Sequence, residues 1–233
     1  MEYLVRENVS DIKLEVKCGN VSITRGEGYT VKINVPDTAV NGIRIFSHSS
    51  TLFIKYILPV PIEVQLCVPK TIHNINFTSG SCKVTFEDIE LDNVIADSRS
   101  NIIMKNVVIV KSCHLNTENS YIRLIDSDII SMNIQLVGGS LDFCNTVLHG
   151  NNTAYVVNSS VGGSLKGALV DYVISAGSGI DPDNVIVNDH FLSEFPNRKN
   201  VQNCAWLLLA GSLSVTSRIK ISKPRSGIYN PII

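Results

Sequence analysis

Charge is scarce in this chain, and so are the residue patterns that build helices or metal clusters. Only 18% of its 233 residues are Asp, Glu, Lys or Arg, and the net charge is −1. That balance supplies no global field to recruit nucleic acid or an anionic membrane. Good helix-forming stretches are few, whereas β-formers and the turn residues Asn, Ser, Asp and Gly are plentiful, so the chain reads as mostly β. Long apolar runs are missing too. "TLFIKYILPVPIEVQLCVP" contains Lys55, Glu63 and three prolines, and "AWLLLAG" is too short, so neither would span a bilayer. The opening "MEYLVRENVSDIK" lacks the basic start and apolar run of a signal peptide. The expected compartment is therefore cytoplasmic, or the cell surface or exterior if a leader has been removed.

There is no CxxC. The six cysteines, Cys18, Cys67, Cys82, Cys113, Cys144 and Cys204, lie far apart in sequence, a pattern unlike zinc ligation. They read as small buried apolar residues in a reducing compartment, with an oxidised pair across neighbouring coils as the alternative. The histidines His48, His73, His114, His149 and His190 show no metal-ligand spacing. No P-loop is present, and Gly26-x-Gly28 is a hairpin turn with no helix after it. No metal and no cofactor is expected.

What the chain does have is a period. Phe86-Glu87-Asp88 is followed by Met104-Lys105-Asn106, Leu124-Ile125-Asp126 and Phe143-Cys144-Asn145, at spacings of 18, 20 and 19 residues. A second corner recurs in step: Ser79-Gly80-Ser81, Ser98-Arg99-Ser100, Glu118-Asn119-Ser120 and Gly138-Gly139-Ser140. Short runs of alternating apolar character separate the corners. Corners need residues that tolerate tight or left-handed turns, and the runs place alternate side chains inside. One coil cannot bury its inner face alone, so coils must stack. The fold predicted is all-β: a right-handed single-stranded β-solenoid, or β-helix, with extra N-terminal strands and a C-terminal cap. Asp88, Asn106, Asp126 and Asn145 are expected in a single corner file, and Gly80, Ser81, Ser100, Ser120 and Ser140 at the other structural corners. A leucine-rich repeat lacks its Leu-x-x-Leu-x-Leu spacing here, and a β-sandwich would show irregular intervals.

One domain over 1–233 is expected, with longer opening coils over 1–70, regular coils of about 19 residues over 71–167, and modified coils and a cap over 168–233. At this point "IEVQLCVPKTIHNINFTSGSCKVTF" and "VKCGNVSITRGEGYTVKI" resemble the bacterial putative adhesin family, a β-solenoid domain of unknown function. Val68-Pro69-Lys70 and Ser79-Gly80-Ser81 carry the likeness, which extends over roughly 10–165. The resemblance implies no catalytic residues.

Chemistry is otherwise thin. Asp88, Asp92, Asp97, Asp126 and Asp128, with Arg99 and Arg123, could form an acidic groove for a polysaccharide-active enzyme, although corner caps and solvated faces explain them more simply. Asp181 and Asp183 in "GSGIDPDN" offer hard oxygens for calcium, with turn chemistry the simpler reason. The seven tyrosines form no periodic ladder, so no aromatic sugar platform is visible. The reading is a non-catalytic rigid scaffold that binds a protein or carbohydrate surface, with no nucleic-acid partner and no transmembrane segment. Two alternatives remain: a scaffold that self-assembles by edge or end stacking, and the polysaccharide-active enzyme.

Overall fold

The computed structural model describes residues 2–4, 9–69, 72–149, 152–165, 170–176, 186–187, 202–208 and 211–216. The strands of the first third are β1 (Glu2–Leu4), β2 (Asp11–Arg25), β3 (Thr30–Asn34), β4 (Ile43–His48), β5 (Thr51–Tyr56) and β6 (Ile62–Val68). One 3-10 turn, Asp37–Gly42, separates β3 from β4. Next come β7 (Asn74–Glu87), β8 (Glu90–Ser98), β9 (Asn101–Lys105), β10 (Val108–Ile125), β11 (Asp128–Ile129) and β12 (Met132–Leu148). The last are β13 (Asn152–Leu165), β14 (Val170–Ala176), β15 (Ile186–Val187), β16 (Gln202–Leu208) and β17 (Gly211–Thr216). The chain is all-β. No helix among the described residues is long and apolar enough to cross a membrane.

From β7 to β13 the strands pair in parallel, tier upon tier. Phe86 is opposite Met104, Met104 opposite Leu124, and Leu124 opposite Phe143. These tiers carry three ladders. The first runs through Asn74, Asn93 and Ser112, the second through Val84, Ile102 and Ile122, and the third through Leu91, Ile109 and Ile129. Alternation does the sorting. In β7 the side chains of Ile75, Phe77, Cys82, Val84 and Phe86 are buried while Asn76, Thr78, Ser81 and Lys83 are exposed. Inward residues from Val9 to Val156 join one apolar cluster.

The stack does not follow chain order at either end. Strand β2 lies between two tiers, pairing with β5 and β6 on one side and with β7 on the other. The tier made by β5 and β6, though later in sequence, is therefore outside β2. Its outer edges are taken by antiparallel strands: β4 on β5, β3 on β6, and β1 beyond β3. The extra N-terminal strands are thus a cover over the first tier. Antiparallel partners occupy the outward N–H and C=O groups there that a further parallel tier would need. At the other end β13 pairs with β16 and β17, and β14 and β15 lie beyond those. Residues 177–185 and 217–233, within the expected cap and including Asp181 and Asp183, fall outside the described residues.

Candidate binding face

Two corner files hold the tiers in register and define the faces between them. Asp88, Asn106, Asp126 and Asn145 all have left-handed backbones, with φ of 57°, 51°, 46° and 52°. Asn106 Nδ2 donates to Asp88 Oδ1 at 2.7 Å, and Asn145 Nδ2 donates to Asp126 Oδ1 at 3.2 Å. The Asp88 amide donates to the Lys105 carbonyl, Asn106 to Ile125, and Asp126 to Cys144. Asn and Asp tolerate this conformation better than residues whose side chains cannot bond locally. Each is followed by an inward residue, and in two tiers that residue is polar: Ser127 donates to the Ile125 carbonyl at 2.9 Å, and Thr146 to the Leu124 carbonyl at 2.9 Å. We expect Asn106→Ala to cost about 1–2 kcal/mol in urea unfolding, with Asn106→Gly losing less because glycine enters the left-handed region freely. Equal losses would assign the effect to the bond with Asp88 instead of to the backbone.

A further file escaped the sequence reading. Asp11, Asn74, Asn93 and Ser112 are directly opposite one another on the first ladder. Asn74 donates to Asp11, Asn93 Nδ2 to Asn74 Oδ1 at 2.7 Å, and Ser112 Oγ to Asn93 Oδ1 at 2.6 Å. The even spacing of Asn74, Asn93 and Ser112 was the available signal. The residue types vary, and Asp11 joins only because β2 is threaded beside β7.

The serine corners are offset from one another. Ser120 is opposite Gly139, and Gly139 is opposite Ser159, whereas Ser140 faces Tyr121 one position along. Ser81 is opposite Cys18 and exposed, with Gly80 before it. Ser100 is fully buried: its hydroxyl donates to the Gly80 carbonyl at 2.8 Å, accepts the Cys82 amide at 3.1 Å, and lies 2.7 Å from Ser79 Oγ. Burial pushes the Cys82 thiol up to about 11 and the Cys113 thiol up to about 12. Both behave as small apolar groups. Cys18, Cys67 and Cys144 are only half-buried, and all five of these thiols are free.

The acidic residues do not converge. Asp88 and Asp126 share one corner, Asp128 belongs to the third ladder, and Asp97 points outward from the first. Asp92 sits between His73 at 3.1 Å and Lys111 at 2.7 Å, and the hydrogen bond from Lys111 is the main cause holding its carboxyl below the ordinary aspartate range. Arg99 pairs with Glu118 at 3.0 Å and His149 with Asp128 at 2.7 Å. Arg123 is opposite Asp142 on the second ladder. Among the described residues no three His, Cys, Asp or Glu side chains form a group able to hold a metal ion. One shallow cleft of about 170 Å³ lies over the first corner file, lined by Arg25, Asp88, Glu90 and Asn106 among others.

The outward face of the first ladder is different. From β7 to β13 one column reads Asn76, Ile95, His114, Asn133 and Thr153, and the next reads Thr78, Asp97, Asn116, Gln135 and Tyr155. All ten are exposed, and Asp97 is the one Asp, Glu, Lys or Arg among them. The second face carries Lys83, Glu87, Lys105, Arg123 and Asp142 over comparable tiers. On the first face, the amides of Asn76, Asn133 and Gln135 make no hydrogen bond to any other described residue, and Asn116 reaches only Asp97, at 3.4 Å. The threading of β2 extends the first of these columns to Lys13, then Phe53, then Phe46 on the outermost strand. Phe46 and Phe53 stack with centroids 4.8 Å apart, and Phe46 is 48% exposed.

Solved structures of this arrangement exist. A putative adhesin from Parabacteroides distasonis ATCC 8503 superposes with a TM-score of 0.53 at 10% identity, covering 93% of this chain and 95% of its own. A putative adhesin from Bacteroides fragilis NCTC 9343 superposes with a TM-score of 0.53 at 13% identity, covering 92% and 95%. The chain shares their fold. No family model matches it, and no curated protein matches it. At such identities the likeness carries over the fold and no residue roles.

Proposed function

We propose that the parallel tiers close as a right-handed β-solenoid forming a single domain, and that the molecule is a non-catalytic, adhesin-like scaffold. It holds a macromolecular partner on the first face. The right hand follows from the crossover rule for parallel strands, obeyed in about 98% of cases. The carrying observation is the contrast between two sets of asparagines. Those at the corners, Asn93, Asn106 and Asn145, use their amides within the stack. Asn76 and Asn133 on the first face leave theirs to solvent, on a ladder paired on both sides and therefore stiff. The name adhesin, borne by two proteins of the same fold, supports a role in surface binding.

Beads coated with the protein should adhere to intact bacterial or epithelial cells. Asn116→Arg combined with Gln135→Arg should lower adhesion by about tenfold or more. Thr85→Arg on the second face, a control of comparable bulk, should leave it unchanged. Equal adhesion by the wild type and the first-face variant would sink the reading.

A further inference from the structure

We infer that the partner of the first face is a neutral glycan; this rests on the binding role just proposed and names its chemistry. Sugar hydroxyls both donate and accept hydrogen bonds. The matching protein groups are carboxamides, each offering an acceptor oxygen beside two N–H donors. Asn76, Asn133 and Gln135 present such groups with no partner among the described residues, and Thr78 and Thr153 stand among them. The array spans five tiers, from β7 to β13, or about 19 Å at the usual strand spacing. Ladder pairing fixes the backbone under every member, so little order must be gained on binding.

Charge selects against other ligands. Recognition of phosphate, sulfate or uronate uses clustered Arg or Lys, and the ten positions include neither; at the β2 margin Lys13 adjoins Asn76, and Lys55 is paired with Glu15 at 2.7 Å. A protein partner would need an apolar centre with aromatic or arginine anchors. Ile95 is the one aliphatic side chain in the two columns. Aromatic groups stand at the margins instead. Tyr155, 39% exposed, stands on β13 opposite Leu207 of β16, and the stacked Phe46 and Phe53 stand on the other side beyond Lys13. Ring faces at those points can pack on the C–H faces of a sugar while the amides between them take its hydroxyls.

The test is affinity electrophoresis of the full chain through gels containing dextran, xylan, mannan or β-glucan, with polygalacturonate and heparin as anionic controls. At least one neutral polymer should retard the protein and neither anionic polymer should. Tyr155→Ala, and separately Asn116→Ala with Gln135→Ala, should weaken the retarding affinity by about tenfold, with unchanged circular dichroism and unfolding midpoint. Arg123→Ala on the second face should have no effect. Retardation by no neutral polymer, retardation only by the anionic ones, or indifference to the first-face variants would overturn the inference. Periodate treatment of the target cells in the bead assay separates the two readings. Loss of adhesion supports the glycan. Adhesion that survives oxidation of the sugars, yet still depends on Asn116 and Gln135, overturns the glycan and leaves the binding face standing.

Discussion

Replacing Gly139 with alanine should destabilise the protein by about 3–5 kcal/mol, enough to threaten a domain whose total stability is typically about 5–15 kcal/mol. Two effects combine. Gly139 has φ of +131°, where a side chain is strained. A Cβ there would also stand 1.8 Å from the Ser120 carbonyl oxygen of the neighbouring tier. That oxygen belongs to a ladder, so relieving the clash means separating strands that are hydrogen-bonded on either side of it. Gly19 occupies the equivalent place between other tiers, with φ of +130° and a would-be Cβ 2.0 Å from the Ile62 oxygen, so Gly19→Ala should behave likewise. Gly28→Ala is the control, because its Cβ would meet nothing within 4 Å. Urea unfolding is the measurement: the midpoint should fall sharply for Gly139→Ala and stay near wild type for Gly28→Ala. A loss below about 1 kcal/mol at Gly139 would mean that the tiers are not in close backbone contact at this corner.

Phe86→Ala should cost about 3–5 kcal/mol by the same measurement. The Phe86 ring is fully buried, with its centroid 5.8 Å from that of Phe77 in a tilted pair. In its column it lies between Ile23 of β2 and Met104 of β9, both fully buried as well. Removing the ring would leave a void that neighbouring tiers cannot close without breaking ladder hydrogen bonds. Phe86→Leu, which keeps much of the volume, should lose considerably less. A Phe86→Ala protein within about 1 kcal/mol of wild type would show that the inward side chains do not form one packed column.

The interval of 18 to 20 residues was legible because one corner makes a demand that few residues meet. Left-handed backbone at Asp88, Asn106, Asp126 and Asn145 favours Asx, and the inward side chain two positions before each must be large and apolar. Two local requirements at fixed separation leave a written period. The other corner makes a looser demand, met by Cys82, Ser100, Ser120, Gly139 or Ser159, so its true alignment was one residue away from the Ser140 expected from spacing. The file from Asp11 to Ser112 was half visible, because Asn74, Asn93 and Ser112 keep the interval and Asp11 does not. The first face was not visible at all. Its outward residues are under no packing constraint, so nothing in Asn76, Asn116 or Gln135 marks them as neighbours until the ladders align them.

By itself the amino-acid sequence determined the strands, the burial alternation within them and the repeat, since these depend on contacts a few residues apart and on corner chemistry. Only the tertiary structure decided that β2 is threaded between β6 and β7, that β3 and β4 cover the first tier, and that Phe46 and Phe53 join the column of Asn76. Strand hydrogen bonds join backbone to backbone and are nearly blind to residue type. Which tier lies on which was therefore settled by how the whole stack buries its ends.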